Sequence, residues 1–249
     1  MSADNEAGGE GQANRKVSLS FIMPVFNEEE SIGPALARVT ESLDKLCSEY
    51  EVIVIDDYSS DQTGAIAAAF AEREPKVRIL RNERNLNYGT SLIRGIAAAK
   101  FEWLLHNGVD LPLAPEDMQP FFDVLGEADV VVAARESREA HSPWRKLTSV
   151  TNRGLLGILF APVVTDLNFT QFYRRSVATS FRLIANSPVV VTPELILRSE
   201  KCGYRVLEIV IPFRRREAGK THFGRPKDIL WTLRDLIRLR VVTWIKGWN

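Results

Sequence analysis

The chain has 249 residues, 45% of them hydrophobic, with 32 basic side chains, 32 acidic ones and 2 cysteines. This supports one large α/β domain with a sizeable core, and it excludes a helix spanning a bilayer, because no stretch stays apolar for long enough. Cys47 and Cys202 lie far apart in sequence and read as buried free thiols, which excludes a disulfide framework or a cysteine metal site.

Residues 1–16, MSADNEAGGEGQANRK, are polar and Gly-rich without an apolar run. They predict a disordered leader rather than a signal peptide, and hence a cytoplasmic protein. Residues 17–25, VSLSFIMPV, predict a first strand, with Pro24 suited to its exit from a sheet. Phe26, Asn27 and Glu28 follow, and acids then open a stretch of helical periodicity reaching Leu46. Val52, Ile53, Val54 and Ile55 form a continuous β-branched run, the signature of a buried parallel strand. It stops at Asp56 and Asp57. Carboxyl ends of strands are where open α/β sheets bind ligands, and paired acids there can accept hydrogen bonds from a base or ribose, or approach a metal. Ser59, Ser60 and Asp61 offer capping oxygens to a helix from about Gln62 to Arg73. For Asp61 alone, a helix cap on a solvated turn is a sufficient reading.

A third strand is predicted at 76–80, and the turn at Asn85, Asn87 and Gly89 leads into a helix whose first amides can face phosphate. A fourth strand at 101–105 ends in HNGVDLPLAPED, where Pro115, Glu116 and Asp117 open a helix to about Gly126. A fifth, 129–134, ends at Arg135. The second half is less regular. It reads as a helix at 144–160 carrying Arg145, Ser149 and Asn152, a strand-like stretch at 163–173 carrying Asp166, a helix at 191–202 with Glu194 in its first turn, and a strand at 204–213 running into RRREAGKTHFG. Strands alternating with helices predict a doubly wound, mostly parallel sheet with helices on both faces. From Arg198 onward basic residues outnumber acidic ones, which favours an anionic partner. The tail from Arg225 to Trp248 mixes tryptophans, leucines and arginines. It reads equally as an amphipathic helix in a membrane interface and as one packed on the protein or on a second copy.

Four segments, PVFNEEESI, DDYSSDQT, a strand ending in VDL, and RREAGKT, appear in the order and spacing of P-x-Y-N-E-x-x-x-I, D-D-x-S-x-D-x-T, a metal motif and R-x-x-G-x-S. On these the chain resembles family 2 glycosyltransferases of the GT-A fold, most closely the dolichol- or polyprenol-phosphate mannose synthase group. The resemblance runs from Val17 to about Gly224. It implies a GT-A domain at 17–223, between the disordered leader at 1–16 and the amphipathic helix at 224–249 that composition and patterning predict. It further implies an inverting transfer of a mannose- or glucose-type hexose from a GDP- or UDP-linked donor to an isoprenoid phosphate, at the cytoplasmic face of a membrane. No nucleic acid partner is expected.

By the same resemblance Pro24, Phe26, Glu28, Asp56 and Asp57 line the nucleotide pocket. Asp110, Arg135 and Arg216 serve the reaction, and Arg145, Ser149, Arg216 and Thr221 face the acceptor phosphate. Asp110 matches the second acid of the family's D-x-D and would hold Mg²⁺ or Mn²⁺. Gly108 stands where the first acid belongs, Pro112 replaces a further polar ligand, and Thr170, Gln171 and Phe172 replace S-G-F. A non-catalytic protein that binds a nucleotide sugar or lipid phosphate is the alternative. A phosphate nucleophile is already ionised at neutral pH, so no strong general base is required.

Overall fold

The computed structural model describes residues 17–136, 143–187, 189–211 and 226–248, with the backbone alone at 143–150, 152 and 226–228. The leader at 1–16 and the RRREAGKTHFG segment, with Arg216 and Thr221, lie outside the described residues. So do the side chains of Arg145 and Ser149.

β1 (Val17–Val25) and β2 (Cys47–Asp56) pair in parallel at the centre of the sheet, and β3 (Val77–Arg81) extends it on the β2 side. β4 (Trp103–His106) lies on the other side of β1. Beyond it β6 (Gln171–Arg174) runs antiparallel to both β4 and β5 (Val130–Arg135), and β7 (Val206–Ile211) is parallel to β5. Among the described residues these make one seven-stranded sheet of order β3-β2-β1-β4-β6-β5-β7.

The strand period of two divides each apolar run between two cores. Phe21, Met23, Val52 and Val54 pack on one face against α1 (Ile32–Leu46), α2 (Thr63–Ala71) and α4 (Gln119–Val124). Ile22, Ile53 and Ile55 pack on the other against α3 (Tyr88–Ala98), α5 (Pro143–Phe160), α6 (Arg175–Ser180), α7 (Val191–Lys201) and α8 (Pro226–Lys246). Each such fully buried side chain contributes about 2 kcal/mol. The fold is therefore the expected α/β sheet with helices on both faces and a C-terminal helix. α3 reaches the sheet closely at Gly95, where a Cβ would stand 2.3 Å from the Ile22 side chain.

Two local expectations are corrected. The helix predicted from Pro115 to Gly126 is split into a 3₁₀ turn, Pro115–Asp117, and α4. Pro120 is the cause, since it supplies no amide to continue the first segment. The strand-like stretch 163–173 is extended only at Gln171–Arg174. Val163 and Val164 give their amides to the Glu200 carboxylate and Asp166 gives its amide to Glu208, so these backbone groups are satisfied by side chains instead of a ladder. Both cysteines are free, Cys47 buried at the α1–β2 junction and Cys202 half-buried. Burial, with Asp44 nearby, pushes the Cys47 thiol up to about 12.

Candidate active site

The carboxyl ends of β1 and β2 emerge side by side, and the two loops that follow them are laced together. Asn27 N donates to Ser59 Oγ at 3.0 Å, and Ser60 N donates back to Asn27 Oδ1 at 2.8 Å. Glu28 N reaches Thr63 Oγ1 at 2.7 Å, Glu29 N reaches Asp61 Oδ2 at 3.2 Å, and Gln62 N reaches Glu29 Oε2 at 2.9 Å. Asp61 also accepts from Thr63 N at 2.9 Å, so it serves the start of α2 from one residue before the cap position. Ser59 and Ser60 do not cap that helix; they hold the neighbouring loop. The segments PVFNEEE and DDYSSDQT are thus one structural unit, which sequence spacing alone does not reveal. Two of its backbone positions, Asn27 at φ 54° and Tyr58 at φ 67°, lie in the left-handed region. Side chains there cost free energy that the lacing must offset.

The adjacent acids have opposite situations. Asp57 accepts from Asn82 Nδ2 at 2.6 Å, Leu86 N at 2.7 Å and Asn87 N at 2.8 Å, so it holds the β3–α3 loop. Asp56 accepts from Ser59 N at 2.9 Å through Oδ1, while its buried Oδ2 has no hydrogen-bond partner among the described residues. Arg81 Nε lies 3.4 Å from that oxygen, and the Arg81 guanidinium also covers the exposed Tyr58 ring at 5.7 Å. Phe26 is exposed beside Asn27, Glu28 is half-buried, and Pro24 is buried in β1 opposite Ile55. Tyr58, Asn82, Ser59 and Thr63 were not among the expected site residues. Asn82 carried a legible signal, a polar residue placed directly after a strand end as Asp57 is.

At the end of β4 the groups are neutral except for one. His106 is buried, its Nδ1 3.2 Å from the Tyr88 hydroxyl and its Nε2 against Gln171 Oε1. Gln171 Nε2 faces the Leu167 carbonyl at 3.2 Å, which leaves Oε1 as the acceptor toward the ring. His106 therefore carries its proton on Nε2, and Tyr88 donates to Nδ1. Burial lowers the His106 pKa to about 4, so it is neutral at physiological pH. Asn107 donates to the Leu113 carbonyl at 2.7 Å and accepts from Thr170 Oγ1 at 3.4 Å, so its side chain is committed to the buried network. His106 and Gln171 are direct cross-strand partners. The residues at the end of β4 and the Thr170-Gln171 segment are thus bonded to each other at two successive positions.

Asp110 follows, half-buried, before Leu111 at φ 42°. A Cβ on Gly108 would lie 2.5 Å from Asp110 Oδ1, so the Asp110 carboxylate occupies the space of the missing side chain. Among the described residues no three His, Cys, Asp or Glu side chains converge on a metal position. A single carboxylate still fits an ion carried mainly by substrate phosphates and water. Across the sheet, Arg135 is bidentate with the buried Asp166 at 2.9 and 3.3 Å and lies over the Phe169 ring at 4.9 Å.

A second clamp lies between α7 and α8. Glu194 accepts from Ile184 N at 3.0 Å and Ala185 N at 2.7 Å and pairs with Arg198 at 2.8 Å. Asp235 accepts from Asn186 N at 3.1 Å and Ser187 N at 2.9 Å. Four consecutive amides are thereby held by two buried carboxylates. Burial raises the Glu194 pKa even though these donors oppose it. The segment closes on α3, where the Asn186 carbonyl would stand 2.4 Å from a Cβ on Gly89, so only glycine fits there.

The model of Glycosyl transferase family 2 matches residues 20–181. The dodecaprenyl-phosphate galacturonate synthase of Rhizobium johnstonii is 26% identical over 216 residues, which span 84% of this chain and 63% of that protein. The chain thus spans less than two thirds of that relative's length. The undecaprenyl-phosphate mannosyltransferase of Micrococcus luteus is 27% identical over 220 residues, 80% of this chain and 85% of that one. In fold, the chain is similar to the glucosyl-3-phosphoglycerate synthase of Mycobacterium tuberculosis in complex with UDP. The TM-score is 0.66 and the identity 21%, covering 90% of this chain and 80% of the other.

Proposed function

The chain belongs to Glycosyl transferase family 2, and from that premise we propose that it transfers a mannose- or glucose-type hexose from a nucleotide sugar to a polyprenyl phosphate, with inversion. The observation that supports this best is the rim of β1 and β2. A laced pair of loops presents the exposed aromatics Phe26 and Tyr58 beside a buried Asp56 oxygen that has no hydrogen-bond donor among the described residues. A base that stacks there and displaces the exposed Arg81 would supply that donor. Asp57 acts one step back, fixing the loop that leads into α3. The relatives named above act, by their names, on polyprenyl phosphates.

The acceptor phosphate needs no general base, consistent with a neutral His106 that is consumed in structural hydrogen bonds. Asp110 is the residue that would hold Mg²⁺ or Mn²⁺, which when bound neutralises the leaving diphosphate. Arg135 contributes positive charge at the end of β5, oriented by Asp166, and Arg145, Ser149, Arg216 and Thr221 are assigned to the acceptor phosphate by their sequence positions. The reaction would take place at the surface of the membrane that carries the lipid. No described helix is long and apolar enough to cross it.

The test is transfer from radiolabelled GDP-mannose and UDP-glucose to a short polyprenyl phosphate, with wild type and Asp110→Asn. Metal-dependent transfer by the wild type, reduced about 100-fold in the variant, is expected. Activity undiminished in EDTA would move charge compensation to the arginines. Nucleotide binding without transfer for any donor or metal would favour the binding-protein alternative, which Gly108 keeps in view.

A further inference from the structure

α8 has two opposed faces that both require a partner. Its inner face is accounted for: Asp235, Leu236, Leu239 and Thr243 are buried against the body of the protein. On the opposite side Leu230, Leu233, Ile237, Val241 and Trp244 are exposed, from 40% for Leu233 to 79% for Trp244. At about 100° per residue these five fall within an arc of about 80°. Large side chains lined up in so narrow a stripe are not scattered surface residues, and they mark a contact face. Arg234 and Arg238 flank the stripe on one side and Arg240 on the other, and Lys246 follows it; all four are exposed. The only acid between 229 and 248 is Asp235, which is buried, holds the Asn186 and Ser187 amides and pairs with Arg234 at 3.0 Å, so Arg238, Arg240 and Lys246 are the cations it does not engage.

We infer that this stripe docks the protein on an anionic lipid surface, with the five apolar side chains entering the interface and the flanking cations meeting headgroups. The inference rests on the lipid-phosphate reading above and adds to it the face that makes the contact. Charge decides the occupant. A second copy laid on the same face would bring Arg238 and Arg240 against their own equivalents, with no exposed carboxylate between 229 and 248 to pair them. A bilayer surface bearing anionic lipids complements both components of the stripe at once. Its place in the fold suits the reaction. Near the start of α8 Trp231 Nε1 donates to Asn186 Oδ1 at 3.1 Å, and the Asn186 carbonyl rests on Gly89 at the opening of α3. The docked helix is therefore tied directly to the ligand rim.

The experiment is co-sedimentation of the full chain with vesicles of phosphatidylcholine alone and of phosphatidylcholine with phosphatidylglycerol. Two variants confined to exposed positions accompany it, Leu233→Ser/Ile237→Ser/Trp244→Ser and Arg238→Gln/Arg240→Gln. Wild type should bind the anionic vesicles and release them in high salt, and each variant should bind about tenfold or more weakly while retaining nucleotide affinity by calorimetry. Vesicle binding equal to wild type in both variants would overturn the inference. So would a wild type that ignores vesicles but forms a dimer dissolved by the apolar substitutions. Vesicle binding needs no sugar donor, so its retention in a protein that never transfers sugar would count against the reaction and not against the docking face. Lost vesicle binding beside intact transfer to a water-soluble acceptor in the apolar variant would support the docking face and leave the reaction untouched.

Discussion

The rims of β2 and β4 lie on either side of β1 and are built on opposite plans. At β2, two adjacent acids are surrounded by donors: Asp57 is satisfied three times over, and Asp56 Oδ2 finds no hydrogen-bond partner among the described residues. At β4, a neutral network of Tyr88, His106, Gln171, Asn107 and Thr170 stands behind the carboxylate of Asp110. The difference teaches that an acid at a strand end is not by itself a ligand group. What matters is how many of its lone pairs the fold has already used.

Three perturbations test this contrast. The largest effect is expected from Asp57→Ala, which leaves the amides of Leu86 and Asn87 and the Asn82 side chain without their acceptor. Urea denaturation should show a loss of about 4 kcal/mol, since hydrogen bonds to a charged group are the strong ones. Asp56→Asn keeps the bond to Ser59 and should change stability by less than about 1 kcal/mol while weakening nucleoside diphosphate binding about tenfold. Equal stability losses in the two variants would erase the distinction between them.

The second perturbation is pH, acting on the β4 side. Burial lowers the His106 pKa in the fold to about 4 from the usual 6.5. Above pH 6.5 both states are neutral there and its contribution to stability is complete. As pH falls from 6.5 toward 4 the unfolded chain takes up the proton first, and up to about 3 kcal/mol is lost. The measurement is denaturation as a function of pH for wild type and His106→Asn, and their difference should flatten below pH 4. A variant with the same slope as wild type in that window would show that His106 is not the group responsible.

The smallest effect is expected from Gly108→Asp. The new Cβ would meet Asp110 Oδ1 at 2.5 Å, so Asp110 must rotate before two carboxylates can share an ion. Part of the gain is spent on that rotation. Mn²⁺ affinity without nucleotide should rise about tenfold, read by calorimetry; no change would mean that position 108 does not reach the ion.

Much of this plan was legible in the residues. The run Val52–Ile55 ending in two acids gave a central strand with both carboxylates at its carboxyl end, and Gly108 was visible as a position without a side-chain oxygen. The unequal roles of Asp56 and Asp57 were not, because they depend on Asn82, Leu86 and Asn87, which only the folded loop brings to Asp57. The same is true of 163–166, whose valines have strand propensity but whose amides are taken by Glu200 and Glu208, tens of residues away. The pairing of His106 with Gln171 follows from β6 entering the sheet antiparallel, a long-range choice that local periodicity does not encode. Arg135 was legible as a cation at a strand end, whereas its bidentate commitment to Asp166 needed the loop that sequence patterning had read as a strand.

The clamp on residues 184–187 has a consequence for the order in which the molecule can be assembled. Ile184 and Ala185 find their acceptor in Glu194, only 9 or 10 residues ahead, so that half can close as soon as α7 forms. Asn186 and Ser187 find theirs in Asp235, 49 and 48 residues ahead. During synthesis from the N-terminus, the loop against Gly89 therefore stays half-fastened until α8 has left the ribosome, and the wall it forms beside α3 is completed only then.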